Sequence, residues 1–335
     1  MTTSNLQVTL QRLTDKKDQL QKLRPLSTDY LKNLSEWFKV ELTYNSNAIE
    51  GNTLNRRETA LVIEKGVTVK GKTLTEHLEA TNHAEAIDYV KDLAANTKQQ
   101  DLTKQDVMNI HKLILQKIDD ENAGKYRNVP VAIAGSDVEL PDPLKVPELM
   151  EEFFTWLKSK SETHPVIVAA DAHYKLVRIH PFVDGNGRTA RLLMNLLLMQ
   201  ANYPITVIGN DKREDYINAL EKAHMTGDLN DFYSLVIKAV DSSLDVYLGN
   251  KKPRGVKEER LLKIGELARV SDTPTSTIRF WTNEGLLKVA KTTDGGYRWF
   301  NESSLKTVEK IKELQARRLT LDEIKTEINK ANLTS

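Results

Sequence analysis

The chain has no cysteine among its 335 residues, which excludes disulfides, a thiolate metal centre and a cysteine nucleophile. That fits a reducing compartment, and a cytoplasmic protein is expected. Long hydrophobic runs are missing too. The apolar stretch Leu192–Met199 is interrupted by Asn195 and is far shorter than the ~20 residues a membrane-spanning helix needs, so no membrane association is expected. The first residues, Met1-Thr2-Thr3-Ser4-Asn5-Leu6-Gln7, lack the basic flank and apolar core of a secretory signal. Internal repeats and low-complexity stretches are absent, and net charge is only +1 at pH 7.

What is present is an ordinary globular mixture, 39% hydrophobic and 28% charged, long enough for about two domains. The small net charge hides an asymmetry. Residues 251–335 carry 18 Lys+Arg against 12 Asp+Glu, a net +6, and the remainder 30 against 35, a net −5. A basic tail on an acidic body points to an anionic partner at one end. Apolar residues at helical spacing occupy Leu6–Leu34, Glu36–Leu42, Thr75–Ala94, Asp106–Lys117, Val146–Lys158 and the segment from Pro165 to His180. Residues 1–250 therefore read as almost wholly helical. One interruption, Tyr126–Leu140, alternates apolar residues around Gly135-Ser136 and ends in Pro141-Asp142-Pro143; it reads as a short hairpin. Gly249–Gly255 breaks the periodicity with Gly, Pro and charge and marks a linker. The expected division is an N-terminal helical region at 1–95, a helical domain at 96–248, a linker at 249–260 and a tail domain at 261–335.

Chemistry concentrates in His180-Pro181-Phe182-Val183-Asp184-Gly185-Asn186-Gly187-Arg188-Thr189-Ala190-Arg191. Arg188 and Arg191 are three apart at the start of an apolar helix, so both project from one side of it. Asp184 to Gly187 precede that helix, where glycines allow tight turns and backbone N–H groups can face an anion. His180 titrates near neutrality and suits a general base. Asp184 is a hard oxygen ligand suited to Mg²⁺ shared with phosphate. The string reads as a phosphate cradle with a base beside it.

It also resembles the Fic-family signature, His-x-Phe-x-Asp/Glu-Gly-Asn-Gly-Arg-x-x-Arg, with every specified position filled. The resemblance implies a mainly α fold, a Fic-type helical bundle with a short β-hairpin flap, and an enzyme that transfers AMP from ATP to a Ser, Thr or Tyr hydroxyl of a target protein. It casts His180 as the base, Asp184 as the Mg²⁺ ligand, and Gly185, Asn186 and Gly187 as a phosphate cradle made of backbone N–H groups and the Asn amide. Arg188 and Arg191 would neutralise the outer phosphates. Val131, Ile133 and Gly135 would lie in the flap, entered through Gly124-x-Tyr126-Arg127, which aligns the target's backbone by strand addition.

A second constellation lies upstream, Ser46-Asn47-Ala48-Ile49-Glu50-Gly51-Asn52. It reads as a helix stopping at Gly51 with Glu50 in its last turn, the unfavourable end of the macrodipole for a carboxylate. An arginine is the natural compensating partner. The segment resembles the Fic inhibitory motif, Ser/Thr-x-x-x-Glu-Gly/Asn, and the resemblance continues through Glu76-His77-x-Glu79 and His83. It implies that Ser46, Glu50 and Gly51 form a brake in which Glu50 pairs with Arg191 and misaligns ATP. In some relatives the same glutamate orients water that removes AMP, so removal of AMP is an alternative direction.

The tail reads as a short helix at Ile264–Val270, a turn, and a helix from Thr275 to Glu284 stopped by Gly285. A hairpin follows over Leu286–Phe300 with Asp294-Gly295-Gly296 at its tip. Asn301 caps a helix over Glu302–Arg317, and Thr320-x-x-Glu323 opens a last one. This order is similar to the winged helix-turn-helix of the MerR family. The resemblance implies double-stranded DNA as a partner, with Thr275, Ser276 and Arg279 on the reading helix and Tyr297 and Arg298 on the wing. Phe280-Trp281-Thr282 departs from that family's Tyr-Tyr-Glu. With no long dimerisation helix after residue 331, a DNA reader is expected to form a homodimer through its first unit. A DNA-binding nucleotide sensor is thus a further alternative, although His180 would then have no task. Self-modification is also open.

Overall fold

A computed structural model describes residues 3–22, 28–133, 135–136, 138–160, 162–249, 261–292, 298–301, 304–317 and 319–333. The chain divides into two compact units, Met1–Arg254 and Gly255–Ser335. Of the expected linker, all but Gly249 lies outside the described residues.

The first unit is helical: α1 (Thr3–Lys22), α2 (Thr28–Ile49), α3 (Arg56–Lys65), α4 (Leu74–Asn96), α5 (Lys104–Leu115), α6 (Val146–Lys158), α7 (Pro165–Ile179), α8 (Asn186–Gln200), α9 (Arg213–Thr226) and α10 (Asn230–Tyr247). Local sequence signals set several of the starts. Asn55 with Glu58 and Thr73 with Glu76 form reciprocal capping boxes at α3 and α4, each satisfying two otherwise orphaned donors. Pro165 opens α7 directly after His164, where its missing N–H costs nothing.

One hydrophobic core runs from Leu10 in α1 to Val246 in α10, so residues 1–95 and 96–248 share an interior. Its axis is α8, which packs against α4, α5 and α7. From Arg188 to Leu198 every residue of α8 is buried. Surrounded on all sides, this helix needs an apolar body, and its arginines are drawn into the interior by their place at its first turns.

The described residues between 126 and 140 form an arm without helix or strand, and in it Ser136 N donates to Ile133 O at 3.2 Å. Among the described residues no ladder pairing joins its two limbs. Arg127 fastens them instead, donating from Nη1 to Val129 O and from Nη2 to Pro141 O at 2.6 Å. Proline at 130 and 141 withholds the donors a ladder would need.

The second unit holds β1 (Leu262–Lys263), α11 (Ile264–Val270), α12 (Thr275–Asn283), β2 (Lys291–Thr292), β3 (Arg298–Phe300), α13 (Ser304–Ala316) and α14 (Leu321–Leu333). The sheet order is β1-β3-β2, antiparallel, with Leu262 opposite Phe300 and Lys291 opposite Trp299. Trp281, Phe300, Leu267 and Ile278 are buried in a core of its own. The expected wing is the β2–β3 pair; its tip and Tyr297 lie outside the described residues. Strand β1, too short for any periodicity to register, was not expected.

Candidate active site

Helix α7 ends at His180, which takes the left-handed conformation at φ 50°. A non-glycine residue at such an angle is strained, and that strain is tolerated mainly where function fixes it. His180 Nδ1 lies 3.2 Å from Val177 O. A carbonyl only accepts, so Nδ1 carries the proton and Nε2 keeps its lone pair. Burial pushes the ring's pKa below the usual histidine value, which keeps it neutral and able to accept a proton.

The loop from His180 to α8 is built from inside. Asn186 closes it, Oδ1 accepting from Phe182 N at 3.0 Å and Nδ2 donating to Phe182 O at 2.9 Å. Both ends of that amide are engaged with the Phe182 backbone, so Asn186 shapes the loop from within. Gly185 turns the chain at φ 75°. Beneath it, the fully buried His111 stacks on Phe182 at 3.7 Å. Its Nδ1 accepts from Gly124 N and its Nε2–H donates to Asp184 O, both at 2.9 Å. Burial lowers His111 to about 4, which preserves this neutral prop. Arg127 Nε donates to His180 O at 2.7 Å and ties the arm to the same loop.

The two arginines are set differently. Arg191 is 1% exposed. Its Nε donates to Ser46 Oγ and its Nη2 to Ser46 O, both at 2.9 Å; Nη2 also reaches Glu50 Oε1 at 2.6 Å and Nη1 reaches Tyr216 OH at 3.2 Å. Glu50 follows the last residue of α2 in a turn closed by Glu50 N to Asn47 O and passed through Gly51 at φ 102°. Arg213 Nε covers Ile49 O at 2.8 Å, satisfying one orphaned carbonyl of α2. A side chain on Gly187 would collide with Glu50 Oε1, so the carboxylate sits directly against the first turn of α8. Arg188 instead pairs with Glu79 Oε1 at 2.9 Å and Asp184 Oδ2 at 2.8 Å. Behind both lies His83, wholly buried, its Nδ1 3.3 Å from Thr43 Oγ1. Burial, with the charges of Arg191 and Arg188, lowers it to about 3.

The structure thus brings His180, Asp184, Gly185, Gly187, Arg188 and Arg191 into one loop and helix start, and adds Ser46 from α2 and Glu50 from the turn after it. Val131 and Ile133 are half-buried in the arm and Gly135 is exposed at its turn. In the second unit Ser276 and Arg279 are exposed on α12 and Thr275 is half-buried. Arg298 donates to Asn283 Oδ1 at 2.8 Å.

Known proteins match in the same places. The Fic/DOC family model matches residues 101–198, and the model of the MerR HTH family regulatory protein matches 262–330. The solved structure of Fic-1 (residues 134–508) from C. elegans is 30% identical, with a TM-score of 0.68, over 74% of this chain and 73% of that one. The chain belongs to the Fic/DOC family. A Fic-domain signaling protein of known structure from Bacteroides thetaiotaomicron is 28% identical, with a TM-score of 0.62, over 72% of this chain and 98% of that one. The protein adenylyltransferase Fic of Nematostella vectensis is 37% identical over 243 residues, 72% of this chain. This Fic chain spans 56% of that relative's length and 46% of the Drosophila persimilis one.

Sequence reasoning assigned no task to several residues of this Fic site. Tyr216, a partner of Arg191, and Glu79, a partner of Arg188, come from α9 and α4. His111 comes from α5. None lies near the motif in sequence, and a lone Tyr, Glu or His carries no periodic signal. Glu79, His83 and Arg127 lie in stretches where the resemblance to the family runs beyond the two motifs.

Proposed function

We propose that this Fic chain transfers AMP from ATP to a hydroxyl side chain of a target protein, and that Glu50 restrains it. The observation that carries the reading is the Arg191–Glu50 pair at 2.6 Å beside a motif complete from His180 to Arg191. The target oxygen attacks the α-phosphorus, the bond to the β-phosphate oxygen breaks, and pyrophosphate leaves. The hydroxyl proton passes to His180 Nε2. Backbone N–H groups at Gly187 and the first turn of α8 face the phosphates, where the helix N-terminus favours negative charge. Arg188 and Arg191 neutralise charge built up on the leaving group. With Glu50 on Arg191, that arginine is withheld and a like charge stands where the phosphates would lie.

The donor set at Asp184 fits Mg²⁺. Its side chain is 65% exposed, and no group of three His, Cys, Asp or Glu side chains able to hold a metal occurs among the described residues. A lone carboxylate suits a cation that takes its remaining ligands from phosphate and water; such a cation would screen phosphate charge.

The test is label transfer to protein from α- and γ-labelled ATP with Mg²⁺, comparing the intact chain with Glu50→Gly in cell extract. The reading expects α-label alone, at least tenfold stronger in the variant. No α-label transfer by either chain would instead favour AMP removal or nucleotide sensing, and γ-label would make the chain a kinase. For the second unit we propose double-stranded DNA as partner, supported by its +6 charge and the outward Ser276 and Arg279 of α12. Electrophoretic mobility shifts should weaken several-fold for Arg279→Ala and fall steeply with salt. Salt-insensitive or unchanged binding would point to a protein-docking surface. A homodimer through the first unit goes with this reading and is checked by light scattering.

A further inference from the structure

Arg188 is gripped by two carboxylates of different standing. Glu79, on α4, has a side chain 19% exposed; Asp184, on the loop, is 65% exposed. Arg188 Nη1 donates to Glu79 Oε1 and Nη2 to Asp184 Oδ2. Glu79's other oxygen is also engaged, accepting from Asn52 Nδ2 at 2.8 Å. Asn52 lies two residues beyond Glu50, in the turn where its backbone N donates to Asn47 O at 3.0 Å. Its amide is steadied further by Glu76 O at 3.0 Å, and its Oδ1 accepts from Leu54 N at 2.9 Å. A single α4 carboxylate therefore joins the second arginine to the turn that carries the brake.

We propose that Glu79 is the positioning residue for Arg188: it keeps Nη1 on the inner side so that Nη2 trades Asp184 for a nucleotide phosphate, with Asn52 locking Glu79 in that pose. The proposal rests on ATP being the ligand. A guanidinium is a rigid planar fork, so anchoring one nitrogen sets where the other points. The partner that yields is the exposed one, because a solvated ion pair contributes little. The trade also releases Asp184 as the phosphates arrive. Without a charged Glu79, the buried arginine is left to Asp184 alone, four residues away on the same turn, and both are withdrawn from phosphate.

Glu79→Gln keeps the size of the side chain but sets its NH₂ against that of Asn52, donor against donor. Glu79→Gln with Asn52→Asp restores a donor–acceptor pair and the original net charge. All three chains are compared in the Glu50→Gly background, full length, by calorimetric titration with ATP and Mg²⁺, and with adenosine as a phosphate-free control. The expectation is an ATP affinity about tenfold weaker for Glu79→Gln, the loss of one charge-assisted hydrogen bond. Adenosine affinity should stay within twofold, and the double variant should return to within threefold of its parent for ATP. Equal losses for ATP and adenosine, or an unchanged ATP affinity, would each overturn the positioning role. Binding as expected without α-label transfer would sink the transferase reading and leave this one standing; a parent that does not bind ATP would overturn both.

Discussion

At the scale of single residues, His180 is the base of the proposed reaction, and its titration is open to measurement. Burial depresses its pKa, so the neutral, proton-accepting form persists to lower pH than for a free imidazole near 6.5. The acid limb of the transfer rate, kcat/KM against pH, should therefore fall below pH 6.5 in the Glu50→Gly chain and vanish with His180→Ala. An acid limb above 7 would mean a different base. Every residue from His180 to Arg191 was legible as a candidate because the loop and the helix start are built by neighbours along the chain. What was not legible is the internal support. Asn186 has the residue type of a phosphate ligand, but its amide closes the Phe182 loop; sequence cannot tell which of two nearby acceptors an amide meets.

At the scale of elements, the brake proposed for Glu50 rests on a helix end. Gly51 holds φ 102° with open space around it, so a methyl group there meets no neighbour and acts only through the backbone. Gly51→Ala should cost about 1–3 kcal/mol in that turn and loosen Glu50 from Arg191. Expected is an α-label transfer rate above the intact chain and below Glu50→Gly, with wild-type ATP affinity. An unchanged rate would show that the turn's strain is not coupled to the clamp. The helix of this brake was legible from its spacing and its stop at Gly51, and an arginine partner followed from the macrodipole. The arm at 126–140 was legible as non-helical and turning at Gly135-Ser136. Its fastening through Arg127 was not, because a side chain that replaces a strand ladder leaves no alternation of its own. Strand β1 escaped for the opposite reason, since Leu262–Lys263 pairs with residues far along the chain and two positions make no pattern.

At the scale of the whole molecule, the histidines divide the two units. All seven lie at or before residue 224 and none in residues 255–335. Three of them, His83, His111 and His173, are 0% exposed. Burial holds His83 at about 3, His111 at about 4 and His173 well below its ordinary value. Their folded pKa values are depressed, so the unfolded chain binds the extra protons. The stability they contribute is present above about pH 6.5 and is lost as pH falls towards the folded values, at roughly 1.4 kcal/mol per pH unit for each ring. Glu41 and Asp171, whose carboxyls burial pushes up, take up protons in the folded state and oppose this in part. Native stabilities are on the order of 5–15 kcal/mol, so three such rings can exhaust one within two or three pH units. Scanning calorimetry from pH 7 to pH 4.5 should then show two transitions moving apart. The one belonging to residues 1–254 falls steeply, and the one belonging to the histidine-free tail moves much less. A single transition that shifts as one would mean the units unfold together, and a flat first transition would mean these rings bind their protons without unfolding the bundle.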